Sequence, residues 1–142
     1  MDWQTADNDY SYRFCEKTTK KFHDIETIFY LCSVRKILTY GGYFEAFIST
    51  LKEHEVKKVD YLLALLATSD RVPTKFVKHL KEGLYELRIK TVDSIYRVFF
   101  IFDNGNIVVL FNGIKKKSQK TPKKELEKAL KIKEAYYADK QS

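Results

Sequence analysis

The chain has 142 residues, of which 44% are hydrophobic and 32% charged, and its formal net charge is +7. This length suits one domain with a buried core, and the composition excludes a disordered or fibrous protein. No apolar run approaches the about 20 residues that a membrane helix needs, and the start of the chain lacks the apolar segment of a signal peptide. We therefore expect a cytoplasmic protein with no membrane partner, in which Cys15 and Cys32 are free thiols.

The positive charge is unevenly distributed along the chain. Residues 1–33 contain four basic and six acidic side chains, whereas residues 34–142 contain 22 basic and 13 acidic ones. A compact domain with this excess of positive charge attracts polyanions, among which nucleic acid is the commonest. A lysine-rich solvated surface without a ligand is the alternative.

Two helices are predicted after a short first strand. The run "VRKILTY" begins at Val34 and favours a strand, which Gly41 and Gly42 end. Apolar residues then recur at helical spacing in two stretches, so each stretch has one buried face. The first stretch contains Tyr43, Phe44, Phe47, Ile48 and Leu51, and the second contains Val56, Val59, Leu62, Leu63 and Leu66. A break around Lys52–Glu55 separates them, which predicts an antiparallel helical hairpin that closes near Thr68.

The following segments predict strands. In "YELRIK", residues 85–90, apolar and charged residues alternate, which is typical of a strand with one buried face. The runs "IYRVFFIF" and "IVVLF" are apolar on both faces and flank the turn Asp103-Asn104-Gly105-Asn106. Asn-Gly between two such runs is a strong signal for a β-hairpin. We expect these two strands to lie in the centre of the sheet, covered on both sides.

The last element is a predicted helix. Thr121 is a suitable N-cap, and Pro122 stands at the favoured first helical position. The expected buried face contains Leu126, Ala129, Leu130 and Tyr137. The order β-α-α-β-β-β-α predicts a small α+β domain with an antiparallel sheet of about four strands.

A lysine-rich segment precedes and enters this helix. Residues 115–128 contain seven lysines and two glutamates. Unpaired backbone N–H groups at a helix start favour an anion, so Lys115, Lys116, Lys117 and Lys120 could hold a phosphate there. For Lys123, Lys124 and Lys128 we prefer a solvated helix surface.

Two arginines lie in the predicted strands. Arg88 points to the face opposite Leu87 and Ile89, and its planar guanidinium suits phosphate better than an ammonium group does. Arg97 begins the next strand and is expected nearby. For both arginines, a salt bridge to a sheet neighbour such as Glu86 is the alternative.

The motifs of the second half carry a family resemblance. The combination "GLYELRI" … "YRVFFIFDNGNIVVLFNGIKKKSQKTPKKELEKAL" resembles the phage-derived, HigB-type branch of the RelE/ParE toxin superfamily. The resemblance covers Val34 to Tyr137, including "YFEAF", the helical hairpin and "VPTKFVKHL". The chain departs from the family at Ile114, where Phe is usual, and at Ser118, where Thr is usual. We expect residues 1–33 to be an extension outside a RelE/HigB-like toxin domain that spans residues 34–142.

The resemblance implies a RelE-like fold and a type II toxin. Such toxins are ribonucleases that cut mRNA on the ribosome, use a ribose 2′-hydroxyl as nucleophile without a metal or cofactor, and are neutralised by a cognate helix-turn-helix antitoxin. Arg88 matches the family arginine that holds the scissile phosphate. The family's basic active-site segment corresponds to Lys115, Lys117 and Lys120, which we assign as catalytic with Arg88. The residues assigned to RNA binding are Lys78, His79, Arg97, Lys116 and Gln119.

The motifs leave alternatives for the general base and for the activity. The motifs contain no His-Glu or His-His pair, and a lysine whose pKa is lowered by like-charged neighbours is the candidate general base. The alternative functions are a ParE-like topoisomerase inhibitor without nuclease activity, and a non-catalytic nucleic-acid-binding module or inactive remnant. The combination of Arg88 with the segment Lys115–Lys120 favours the nuclease.

Overall fold

The computed structural model describes residues 34–117 and 120–142. The N-terminal segment 1–33 and the predicted RNA contact Gln119 therefore lie outside the described residues. In chain order, the elements are β1 (Lys36–Thr39), α1 (Tyr43–Ser49), α2 (Glu53–Thr68), β2 (Val77–Lys81), β3 (Leu84–Lys90), β4 (Ile95–Asp103), β5 (Ile107–Lys116) and α3 (Lys123–Gln141). None of the helices within these ranges is long and apolar enough to cross a membrane.

The sheet has five strands in the order β1-β5-β4-β3-β2. The α+β class and the central position of β4 and β5 are confirmed. The sheet is mixed, however, because β1 pairs with β5 in parallel, with Lys36 opposite Ile107. Helices α1 and α2 carry the chain from β1 at one edge to β2 at the other, which a hairpin turn cannot do. The fifth strand is β2, a short edge strand that pairs antiparallel with β3.

The sheet separates two apolar cores. On one face, α1 and α2 pack against a core that includes Phe44, Leu62, Leu87, Val98 and Leu110. On the other face, α3 packs against a core that includes Leu84, Phe99, Val109, Phe111 and Tyr136. Side chains alternate between the faces along each strand, so β4 and β5 are buried on both sides, as their sequences predict.

The turn between β4 and β5 is the predicted hairpin. Asn104 has φ 51° and Gly105 has φ 78°. Asn and Gly are the residues that adopt a positive φ most easily, which allows a tight turn at this position. Asp103 pairs with Ile107, so the loop consists of the three residues Asn104, Gly105 and Asn106.

The start of the last helix differs from the prediction. Helix α3 begins at Lys123, Pro122 is its N-cap residue, and no side chain caps it. The N-cap prediction for Thr121 is wrong, because its hydroxyl donates a hydrogen bond to Glu86 instead. The buried residues of α3 are Ala129, as predicted, together with Ile132 and Tyr136, while the predicted Leu126, Leu130 and Tyr137 are half-buried.

The C-terminal end of α3 is tied to the sheet through Asp103. The Tyr136 hydroxyl donates a 2.5 Å hydrogen bond to Asp103 Oδ2, and Lys140 Nζ lies 2.7 Å from the same oxygen. Burial alone would raise the pKa of Asp103, but these hydrogen bonds outweigh burial and the net pKa is lowered. A carboxyl group whose pKa is lowered by folding contributes stability above its unfolded pKa and loses it as the pH falls.

Replacing Asp103 with asparagine is expected to destabilise the protein at pH 7 by about 2 kcal/mol, because charged hydrogen bonds are lost. The wild type should lose this contribution as the pH falls below about 4, so the two proteins should converge in acid. Urea unfolding followed by circular dichroism across this pH range measures the difference. Glu134→Gln, an exposed carboxylate on the same helix, is the control. An equal difference at all pH values would contradict the assignment.

Candidate functional site

Two arginines face each other on the α3 side of the sheet. Arg88 of β3 and Arg97 of β4 are direct cross-strand partners. Like charges in this position repel, and an anion between them relieves the repulsion. Glu86 provides this anion. It lies two residues before Arg88 on β3, and residues two apart on a strand share a face of the sheet. Its Oε1 atom lies 3.5 Å from Arg88 Nε and 3.6 Å from Arg97 Nε.

The two arginines differ in exposure. The side chains of Arg97 and Glu86 are 3% and 4% exposed, whereas that of Arg88 is 30% exposed. Arg97 also donates a 2.9 Å hydrogen bond to the carbonyl oxygen of Tyr96. The salt-bridge alternative is thus confirmed for Arg97, which lies beneath the surface. Arg88 pairs with the same carboxylate but still presents its guanidinium to solvent.

The start of the α3 segment joins this group. The Thr121 hydroxyl donates a 2.9 Å hydrogen bond to Glu86 Oε2, and Lys116 Nζ donates a 3.3 Å hydrogen bond to the Thr121 oxygen. We call Glu86, Arg88, Arg97, Lys116 and Thr121 the cationic cluster. It connects β3, β4, the end of β5 and the segment that leads into α3 through one buried carboxylate.

Lys116 has an unusual electrostatic environment. It is 6% exposed, although its neighbours in sequence, Lys115 and Lys117, are exposed. Burial lowers the pKa of its ammonium group, and the nearby charge of Arg97 lowers it further, while Glu86 acts in the opposite direction. Burial also lowers the pKa of Arg97, but an arginine remains charged. The ammonium group of Lys116 is therefore more acidic than that of an ordinary lysine.

The predicted catalytic Lys115 lies on the other face of the sheet. Strand β5 continues to Lys116, so alternation directs these two lysines to opposite sides. Lys115 Nζ lies 5.9 Å from the ring centroid of Tyr96, and the side chain lines a cavity with Phe47 and Glu55. The fold does not bring Lys115 into the cationic cluster.

The remaining predicted site residues also lie in different places relative to the cationic cluster. Lys78 of β2 is the cross-strand partner of Glu86, and its charge contributes to the lowered pKa of Lys116. His79 lies on the opposite face, where its ring centroid is 5.0 Å from that of Tyr85. Lys117 and Lys120 are exposed and follow the end of β5. The fold thus gathers Lys78, Arg88, Arg97 and Lys116.

Sequence reasoning missed two members of the cluster as site residues. Glu86 was considered only as a salt-bridge partner, although its spacing of two from Arg88 already placed both on one face. Thr121 was interpreted as a helix cap, and no local pattern indicates that its hydroxyl reaches across to β3.

The cluster can bind an anion. Three cations surround one carboxylate, so a positive charge remains, and the exposed Arg88 guanidinium offers several N–H donors to a phosphate group. In the described part of the chain, no group of three or more His, Cys, Asp or Glu side chains is arranged to hold a metal ion.

The chain matches a family model over more than half of its length. The model of the family described as "Phage derived protein Gp49-like (DUF891)" matches residues 46–134. The matched segment includes strands β2 to β5 and every member of the cationic cluster. No curated protein gives a significant match to the sequence.

Proposed function

Because the chain belongs to the phage-derived Gp49-like family, which is part of the Gp49/HigB-like toxin–antitoxin group, we propose that it is a type II toxin that cleaves mRNA on the ribosome. The observation that carries this proposal is that the exposed Arg88 contacts Glu86 directly, while the hydroxyl of Thr121 links the buried Lys116 to the same carboxylate. This arrangement provides both a phosphate contact and a group that can exchange a proton.

In the proposed reaction, the ribose 2′-oxygen attacks the adjacent phosphorus and the bond to the 5′-oxygen of the next nucleotide breaks. The products are a 2′,3′-cyclic phosphate and a 5′-hydroxyl end, and the proton lost by the 2′-hydroxyl is balanced by the one gained at the leaving oxygen. Arg88 stabilises the negative charge that develops on the non-bridging oxygens. The lowered pKa of Lys116 suits it to the proton transfer.

The proposed active site also includes two exposed lysines that follow β5. Lys117 and Lys120 lie on either side of the undescribed residues 118–119, and both are exposed to solvent. Positive charge next to the end of β5 attracts the RNA backbone. We keep Lys117 and Lys120 in the proposed active site. We place Lys115 outside it, because it lies on the opposite face.

A toxin of this type needs a partner that silences it. An antitoxin that covers Arg88 must neutralise a positive surface, so we propose an acidic or site-occluding contact from a cognate helix-turn-helix protein. The proposed site of action is the cytoplasm, where mRNA and ribosomes are present.

A cell-free translation assay with the purified protein tests the function. We expect protein synthesis to stop and primer extension to reveal new 5′ ends in the message. If the message stays whole while the protein poisons DNA gyrase, the ParE-like alternative is correct. If neither process is affected, the toxin proposal is wrong.

A further inference from the structure

A groove runs along the uncovered end of β3. Strand β2 pairs with β3 only as far as Leu87, opposite Val77, so the end of β3 has no strand neighbour on that side. The cavity that lies there has a volume of about 610 Å³ and reaches from Arg88 and Arg97 to helix α2. It therefore begins at the cationic cluster and passes over the edge of the sheet.

Among the described residues, the charged side chains that line the groove are all cationic. Besides Arg88 and Arg97, its cations are Lys58 from α2, Lys75 from the loop before β2, and Lys90 from the end of β3. Within residues 34–117 and 120–142, no aspartate or glutamate lines it. Glu86 beneath the two arginines offsets one of these charges. A groove of this kind concentrates a polyanion.

Aromatic rings lie beside two of these lysines. Lys75 Nζ lies 4.7 Å from the ring centroid of Phe76, which also lines the groove. Lys58 Nζ lies 5.5 Å from the ring centroid of Tyr61, which is 58% exposed. Cations that follow a backbone, combined with rings on which bases stack, are typical of sites for single-stranded nucleic acid.

We propose that this groove binds the single-stranded RNA that flanks the phosphate held by Arg88. In this assignment, Lys58, Lys75 and Lys90 contact successive phosphates, and Phe76 and Tyr61 offer faces to the bases. The inference rests on the proposed function, because it takes RNA as the substrate. The groove starts at Arg88 and its cations stand next to rings, which favours RNA over an acidic protein segment.

The test compares the wild type with the triple variant Lys58→Gln/Lys75→Gln/Lys90→Gln. Affinity is measured by fluorescence anisotropy for 2′-O-methyl RNA, which cannot be cleaved, in lengths of about three and about nine nucleotides. The wild type should bind the longer RNA more tightly, and the variant should lose most of that gain. Three lost phosphate contacts predict an about 100-fold weaker affinity at 0.1 M salt, and a salt-dependence slope that is smaller by about 2.

The control removes the same charge elsewhere. Lys36, Lys128 and Lys131 are exposed and do not line the groove, so their triple glutamine variant should keep the length-dependent gain. Circular dichroism establishes that both variants are folded.

Three results would overturn the inference, and they are distinguishable. If the wild type binds and cleaves RNA and the groove variant retains the wild-type affinity both for the two RNA lengths and for a polyglutamate peptide, the groove assignment is wrong and the proposed function stands. If the groove variant keeps RNA affinity but loses binding to a polyglutamate peptide that the wild type binds, the groove serves an acidic protein segment. If the wild type itself neither binds nor cleaves RNA, the proposed function fails together with the inference.

Discussion

Replacing Arg88 with alanine is expected to slow RNA cleavage by at least about 100-fold, which is the scale of removing one charge-stabilising donor. Arg88 is the one arginine of the cationic cluster whose side chain is substantially exposed, and β3 holds it in place. The variant should remain folded, because the buried pair of Glu86 and Arg97 is retained. Primer extension on ribosome-bound message measures the rate, and colony formation measures toxicity.

Two further variants sharpen this test. Arg88→Lys keeps the positive charge but loses the planar guanidinium group, so it should recover little of the cleavage rate. Lys128→Ala removes an exposed charge on α3, outside the cluster, and should leave the rate close to that of the wild type. Cleavage by Arg88→Ala at the wild-type rate would show that the site lies elsewhere.

Replacing Glu86 with glutamine is expected to destabilise the fold by about 3 kcal/mol, because a buried arginine loses its counter-charge. The side chains of Glu86 and Arg97 are both almost completely buried, and glutamine can still accept the hydrogen bond from Thr121. The loss of stability should therefore come from the removal of the negative charge rather than from a change in the shape of the side chain. Urea unfolding followed by circular dichroism measures it.

The matched control for Glu86 is an exposed ion pair. Glu53 and Lys57 form a salt bridge one helical turn apart on α2, with side chains that are 86% and 74% exposed. Glu53→Gln should change the free energy of unfolding by no more than about 0.5 kcal/mol. If Glu86→Gln were equally mild, the carboxylate would not be what holds the two arginines together.

Much of the fold follows from local patterns in the sequence. The two helices, the strands β3 to β5 and the Asn-Gly turn each rest on hydrophobic periodicity or turn chemistry, and all are present. Strand β2 was missed because its sequence, "VKHLK", is short and partly exposed, so it lacks a clear apolar face. The parallel pairing of β1 with β5 depends on where the helices α1 and α2 carry the chain, and this path cannot be predicted from any local sequence pattern.

The candidate site was predicted less completely. Arg88 and Arg97 were expected to be neighbours, and their cross-strand register shows that they are. The lysines were treated as one loop, because "GIKKK" does not show where the strand ends. Since β5 continues to Lys116, consecutive lysines lie on opposite faces and only Lys116 enters the cluster. The role of Thr121 depends on a contact with β3, far away in the sequence.

The parallel pairing of β1 with β5 has a consequence for how the protein is made. Lys36 can pair with Ile107 only after the whole segment between them has been synthesised, and contacts between residues so distant in sequence form slowly. The cationic cluster also needs Thr121, which is synthesised after every strand. A chain that has been synthesised only as far as the end of β5 contains all five strands but still lacks the hydrogen bond from Thr121 to Glu86. The sheet can therefore form before the cationic cluster is complete.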